Sequence, residues 1–550
     1  MEDRSGTCTE SALGASSPAF ARLVTVPRDT SLLLIEPRVA VSIEQCLDKG
    51  VGMTTSGFNK QPMCGSIPGL IRSGRNLGKT LQSVFGVSIL AFLLVPSVFA
   101  TQREVGTGLA YGTIQACMNA ATSGDICNVH AGTYSENVSF KINGVTLQVN
   151  PGDTVTLNGV IDILSYSGAV VDGFQITGFT SSTGGIHAYN TTGGIIRNNV
   201  VFNGTGAGIY VRLVTNFQIS GNTVHDMQGT DGTVGDGIVS ISTNSTDGTY
   251  AHGVLVYNNT VYQNHQDGII INGNYLSIHD NYVHDNVYAN WASTHPDGIE
   301  CNGIADGDTG CVHTLVYNNV VKNQTQNIYF DGLGTPAQNS DIWIFNNVLF
   351  NDATSATGVS MATGTSSQIN LNTGMTAYIL NNTIGGTVQY FDILMGDGSG
   401  GNDATAAFTG VHIKNNIITN SLYIGLWTYP ATNVAEMDNN MYYNDGAALV
   451  HWGDTGNLTS IATVRSTTGM EASGQQANPL INAFPSPTLQ ASSPAIETGA
   501  NLTSLQQMFL DSDKNGTSRP SSGAWDIGAF SSGSALARPN PPTNVTATAR

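Results

Sequence analysis

VYNNTVYQNHQDGIIINGNYLSIHDNYVHDN (256–286) says one thing twice. VYNNTVYQN (256–264) and IHDNYVHDN (278–286) share a frame of alternating apolar and polar residues around a fixed asparagine. The frame recurs upstream as IRNNVVFN (196–203) and ISGNTVHD (219–226). Downstream it continues as VYNNVVKN (316–323), IFNNVLFN (344–351), ILNNTIGG (379–386), IKNNIITN (413–420) and MDNNMYYN (437–444). The constant residues are Asn199, Asn222, Asn259, Asn281, Asn319, Asn347, Asn382, Asn416 and Asn440, with gaps of 22 to 38 residues. A fixed core with gaps of that size is the mark of a solenoid whose turns carry variable insertions.

Each copy has period two and is flanked by Gly and Asn, which is strand and turn chemistry. Strands this short cannot bury a face alone, whereas coiling the chain so that each lies in register on the next buries one continuous interior. Asn tolerates the left-handed conformation of a tight bend. At a strand spacing of about 4.8 Å its side-chain amide also reaches the amide above and below. A second strand precedes the Asn unit in most turns: AGIYVR (207–212), DGIVSIS (236–242), DGIIING (267–273), DGIECNG (297–303), NIYFDG (327–332) and GVSMATG (358–364). The expected fold is all-β, a single-stranded right-handed parallel β-helix.

Residues 105–533 resemble the right-handed parallel β-helix proteins of the pectate-lyase-like superfamily. YGTIQACMNAATSGDICNVHAGTYSENVSF (111–140) is similar to that family's N-terminal helical cap, and NPLINAF…SPAIETGA…WDIGAF (478–530) to its C-terminal closing segment. The resemblance implies the fold and leaves the activity open, because lyases, hydrolases, epimerases, esterases and adhesins share that scaffold.

Composition narrows the class. Charged residues are 11% of the 550, Gly numbers 64, and the formal charge is −19. Nucleic acid is excluded as a partner, since phosphates need a basic surface. Glu, Lys, Leu and Arg are too scarce for a helical bundle. Residues 1–100 read as a leader: Arg72, Arg75 and Lys79 precede the apolar run VFGVSILAFLLVPSVFA (84–100), a secretory signal pattern. A signal so far from residue 1 points to a start assigned too early, with Met53 or Met63 beginning the precursor. The alternative, a membrane anchor, is short for a span. Without the leader 11 basic and 32 acidic residues remain, a net charge near −21. Cys117 with Cys127 and Cys301 with Cys311 read as two local disulfides of an exported chain. The β-helix domain is expected over 101–535. A Pro-rich linker or disordered tail follows at 536–550, leading toward a module beyond this chain.

Aligning the second strands on Ile238, Ile269 and Ile299 puts Asp236, Asp267 and Asp297 in one column, followed by Asn327. His265 and His295 align two residues upstream. Glu300 and Asn302 are expected to face outward, with Tyr329 and Asp331 stacked on them. Carboxylates about 5 Å apart do not all ionise cheaply, which suits an acid beside a base or nucleophile. One turn matches the separation in retaining glycosidases, two turns the inverting range. The catalytic candidates are therefore Asp267, Asp297 and Glu300, tuned by His265 and His295. Asp236, Asn302, Asp331, Tyr329 and Trp291 are the candidate substrate-binding residues, with Tyr288 a further aromatic for stacking on sugar rings. Two other readings stay open: the same oxygens hold Ca²⁺, or Asp-Gly is only turn chemistry. His225 and His284 read as solvated edge residues. DSDKNG (511–516) opens like a calcium loop but has Ser522 where the loop needs Glu.

Lyases and epimerases acting on uronic acids need cations to neutralise the carboxylate. Only Arg212 and Lys322 lie near the patch, and an acidic chain repels polyuronates. The expectation is a secreted, monomeric, polysaccharide-active enzyme, foremost a glycoside hydrolase. The alternatives are a Ca²⁺-dependent lyase or epimerase, and a non-catalytic glycan-binding surface protein.

Overall fold

The computed structural model describes residues 100–533 apart from 182, 230–234, 242–252, 287–295, 302–309, 331–338, 353–365, 373–374, 387–389, 397–409 and 430–433. The leader and the tail from 534 onward lie outside the described residues. Three sheets of 14, 13 and 13 strands wrap one interior, and each strand pairs with its counterpart one turn away. The turn at Ile195–Arg197, Val200–Phe202 and Ile209–Arg212 shows the unit, with one short strand in each of sheets I, II and III. Among the described strands of the three sheets, pairing is parallel except at the last strand of sheet III, Gly456–Leu458. The fold is a right-handed parallel β-helix.

Inward residues stack on their own kind. Val201, Val224, Val261, Val283 and Val321 are wholly buried on sheet II; Ile209, Ile238, Ile269, Ile299 and Ile328 form the facing stack on sheet III. Burying such a side chain contributes roughly 1.5–3 kcal/mol. Summed over the turns, this is what holds strands that are too short to stand alone.

The bend between sheets I and II divides its work between two adjacent residues. The first is left-handed: Asn198, Asn258, Asp280, Asn318, Asn346, Asn381, Asn415 and Asn439 have φ between 52° and 58°. The second, the repeat asparagine, is buried and keeps ordinary φ. Its amide donates to the side-chain oxygen of the next copy, at 3.0 Å from Asn199 to Asn222 and at 2.9–3.0 Å in every step down to Asn440. The same oxygens also accept the preceding copy's backbone N–H, as Asn319 Oδ1 does from Asn281 at 3.0 Å. The ladder expected from the sequence is present, but the left-handed turn belongs to the residue before it.

Helix α1 (Ile114–Ala120) covers the N-terminal opening with Ile114, Cys117 and Met118 turned inward. Thr113 caps it by accepting from the Ala116 N–H. The Cys117–Cys127 bridge ties it to sheet I, and Cys301–Cys311 ties sheet III to sheet I two hundred residues on. At the far end helix α2 (Ile461–Thr468) carries a capping box from Ser460 and Thr463 and stops at left-handed Gly469.

Residues 477–533 do more than close the end. They fold back along the outside of the coil, packing Leu502, Leu510 and Trp525 on Tyr317, Trp343, Phe345 and Leu380. Ala529 and Phe530 pack on Val348 and Phe350, and Ala495 and Ile527 on Ile417 and Met441. The left-handed asparagines are their anchor. Asn346 donates to the Ser512 carbonyl at 2.7 Å, Asn381 to Asp526 at 3.1 Å, Asn415 to Ala500 at 2.9 Å and Asn439 to Thr498 at 3.0 Å. This clasp covers sheets I and II. Within it Asp513 accepts the Asn515, Thr517 and Ser531 N–H groups, so DSDKNG is a backbone turn and not a calcium loop.

His225 and His284 are not solvated edges. Phe202, His225, Tyr262 and His284 stack face to face on the outside of sheet II, with centroids 4.8–5.4 Å apart. Each imidazole also bonds the aspartate that follows it, at 2.6 Å for Asp226 and 2.8 Å for Asp285. In-register strands bring like positions together, and flat rings at that spacing bury each other's faces.

Candidate functional site

The candidate carboxylates occupy the corner where sheet II passes into sheet III. Ile238, Ile269, Ile299 and Ile328 pair in register there, which aligns Asp236, Asp267 and Asp297. The glycine after each aspartate makes this corner possible. A Cβ on Gly237, Gly268 or Gly298 would sit 2.3–2.4 Å from the inward valine of the next turn, Val261, Val283 or Val321. It would also lie within 2.6 Å of the next turn's backbone oxygen. Glycine is required by crowding rather than by φ, and with it turned inward the aspartate stays on the outer side.

The column is bonded through the backbone. Asp267 Oδ1 accepts the Asp297 N–H at 2.7 Å, and Asp236 Oδ1 accepts the Asp267 N–H at 3.4 Å. The aspartates therefore fasten successive turns as well as presenting charge. Asp236 is 8% exposed, and burial pushes its carboxyl up to about 7, against the pull of the Asp267 amide.

Glu300 joins them from the next outward position. One oxygen each from Asp267, Asp297 and Glu300 lies within 4.8 Å of the others, and all three residues are buried. Among the described residues this is the one such convergence of possible metal ligands. Asp267 lies two residues before the strand Ile269–Ile271, and Asp297 and Glu300 lie on the next strand of the sheet, Asp297–Cys301, so register assembles them. Glu300 lies in an outward column with Tyr210, Val239 and Ile270 on one side and Tyr329 on the other. Tyr329 is 8% exposed, and its hydroxyl accepts from Asn372 Nδ2 at 3.2 Å.

The sequence expectation fails in one place. Asn327 is not the fourth member of the aspartate column: Gln326 pairs with Asp297, and Asn327 lies in the interior. The strand Gln326–Phe330 has no Asp-Gly, and Asn327 fills the inward position that Gly298 holds one turn earlier. His265 is half-buried beside Gly235 and outside the carboxylate convergence. His295, Asn302, Asp331, Trp291 and Tyr288 lie outside the described residues. Arg212 aligns with Ile241 on sheet III. Lys322 is on sheet II, 3.7 Å from both Asp285 and Asp352 and over the Phe350 ring.

Three carboxylates gathered this closely in a buried corner repel one another unless a proton, a cation or a basic side chain lies among them. The donor set is oxygen only, which fits a hard cation such as Ca²⁺ and not zinc or copper. The same oxygens also suit an acid paired with a base at the retaining separation of about 5–5.5 Å.

No protein-family model and no curated protein matches the chain. Solved structures with a similar coil include the pectate lyase Pel9A, at 14% identity over 78% of this chain and 97% of that one, TM-score 0.40. The catalytic unit of a GH87 α-1,3-glucanase from Streptomyces thermodiastaticus is similar at 12% identity over 66% and 65%, TM-score 0.41. PfbA, a surface adhesin of Streptococcus pneumoniae, is similar at 12% over 61% and 86%, TM-score 0.41.

Proposed function

We propose that the protein is an exported, polysaccharide-active β-helix protein whose centre is Asp267, Asp297 and Glu300. The observation that carries the proposal is the convergence of three carboxylate oxygens from two turns within 4.8 Å. Strand starts alone account for Asp297 and for Asp267, whose carboxylate also accepts a backbone N–H, but not for Glu300, which begins no strand and still turns to the same point. Hydrolysis of a glycosidic bond is the leading reaction, one carboxyl serving as acid and a second as base or nucleophile. Export is supported by the two disulfides.

A second reading is favoured by the same short separations: an all-oxygen Ca²⁺ site serving a lyase or epimerase. In that reading the three carboxylates hold the ion, which would neutralise a substrate carboxylate when bound. The test is product release from a panel of neutral and acidic polysaccharides, with and without chelator, for the parent, Asp297→Asn and Glu300→Gln. Hydrolysis that resists chelator and is lost in both variants supports the first reading. Chelator-sensitive release of unsaturated or epimerised product supports the second. Glycan binding with no product, equal in parent and variants, overturns both and leaves a binding protein.

A further inference from the structure

The column of inward corner glycines changes character after Gly298. Ile299, Ile328, Ile369, Ile393 and Leu426 pair in register, so the residues just before them also stack: Gly298, Asn327, Gln368, Asp392 and Gly425. Asn327 donates to Gln368 Oε1, and Gln368 donates to the Gly385 carbonyl at 2.9 Å. Asp392, next in line, is wholly buried, and neither of its oxygens makes a hydrogen bond.

On the following turn Gly425 makes room for a second carboxylate. A Cβ there would lie 2.9 Å from Asp445 Oδ2. Asp445 is half-buried as a residue, but its Oδ2 is buried and has no hydrogen-bond partner, while Oδ1 accepts from the Ser421 N–H and hydroxyl at 3.2 Å each. Asp445 thus packs against the glycine that lies one rung from Asp392, and three oxygens of the two carboxylates make no hydrogen bond.

Nothing basic compensates them among the described residues of these turns. Lys414 and His412 bond Glu436 outside, and His451 stacks on Trp427 outside. The remaining ionisable groups that share the interior are Tyr442 and Glu471, joined by a 2.8 Å hydrogen bond, and both add negative charge when ionised. Two bare charges at such a place cost several kcal/mol each.

We propose that Asp392 and Asp445 share one proton across Gly425, the O–H of one donating to the carboxylate of the other, and that releasing this proton to solvent loosens the turns that carry them. Burial, with Asp445 adding its charge, holds Asp392 well above the ordinary carboxyl range, and burial pushes Asp445 up to about 8, against the pull of the Ser421 N–H and hydroxyl. The pair works as a base-sensitive lock inside the solenoid, separate from the corner where Asp267, Asp297 and Glu300 meet.

Backbone hydrogen exchange on the full chain, with chelator present and corrected for intrinsic rates, tests the lock from pH 6 to 9. In the parent, amides of 391–395 and 424–428 should lose at least tenfold of their protection as pH rises. Asp392→Asn donates to Asp445 without titrating and should keep protection across the range. Infrared spectra near pH 8, where Asp236 and Glu471 have largely ionised, should show a protonated-carboxyl band in the parent that the variant lacks. A variant with the parent's pH dependence, or a parent without that band, overturns the proposal. A band that appears only when chelator is added overturns it in favour of a bound cation. If Asp392→Asn fails to fold, the parent's infrared band and Asp445→Asn decide the matter.

Discussion

Asn440 donates its side-chain amide to the Glu471 carboxylate at 2.7 Å, and there the nine-asparagine column ends on an acid. Every amide in the column points the same way, so their dipoles add as they do along a helix, with the donor end at Asn440. Glu471 is wholly buried and also accepts from the Tyr442 hydroxyl at 2.8 Å and the Asn440 N–H at 3.3 Å. Glu471→Gln keeps an acceptor for Asn440 and removes the charge, so it should cost about 1 kcal/mol or less. Glu471→Leu leaves the column's last donors and Tyr442 unmet and should cost about 3 kcal/mol. Chemical denaturation of the two variants measures the difference, and equal losses would show that the column does not depend on its end.

Within the column no member is replaceable by a shape alone. Asn319 Oδ1 accepts both the amide and the N–H of Asn281, while its own amide donates to Asn347 and to the Ile278 carbonyl. Asn319→Ala strips partners from several buried groups at once and should cost about 3 kcal/mol or more. Asn318→Ala, one residue earlier, strains a left-handed position without breaking the ladder and should cost about 1 kcal/mol. Denaturant unfolding of the pair of variants separates ladder from turn, and the reverse order would mean that the turn carries the bend.

The Asn repeats and the three Asp-Gly pairs made the coil and the alignment of Asp236, Asp267 and Asp297 readable from residues alone, because register follows wherever the same residue recurs. Glu300 and Tyr329 followed from strand alternation. Alternation breaks at the corner, where two consecutive residues face inward, and that is why Asn327 was misplaced and Asp392 passed over. The stack of His225 and His284 on Tyr262 needed knowledge of which rings share a rung across insertions of differing length. The clasp at 477–533 has no repeat, so nothing in its sequence told which turns it covers.

The corner glycines yield a prediction about the site rather than the core. A methyl group on Gly298 would lie 2.4 Å from Val321 and 2.5 Å from the Asn327 carbonyl. Backbone must move to admit it, and Asp297 and Glu300 are on the strand that moves. Gly298→Ala should destabilise the chain by about 1–3 kcal/mol. It should also abolish whatever glycan turnover or Ca²⁺ binding Asp297→Asn abolishes. Adding Val321→Ala relieves only the side-chain clash and should not restore either. Rescue by the double variant, read in calorimetric Ca²⁺ titration and product release, would show that the carbonyl contact is tolerated and the corner is looser than the structure implies.

Stability should peak in mildly acidic solution. Burial pushes Asp236 and Glu471 up to about 7 each, above the ordinary values of 3.8 and 4.5. The folded chain therefore holds protons that the unfolded chain has lost, and its advantage shrinks as pH rises from about 4 through 7. On the acid side the signs reverse. The Thr122 amide and the Arg103 guanidinium, 2.7 Å away, outweigh burial and hold Asp125 far below the usual carboxyl range, and hydrogen bonds from Asn128 and His130 lower Glu104. Their contribution is present above about pH 4 and disappears as pH falls below it. Thermal unfolding followed from pH 3 to 9 in chelator should give the highest Tm near pH 5, falling on both sides. Glu471→Gln should flatten the fall between pH 5 and 7 while leaving the acid limb as it was, and Asp125→Asn should do the opposite. A Tm that climbs steadily to pH 8 would mean that Asp236 and Glu471 are ionised in the folded chain.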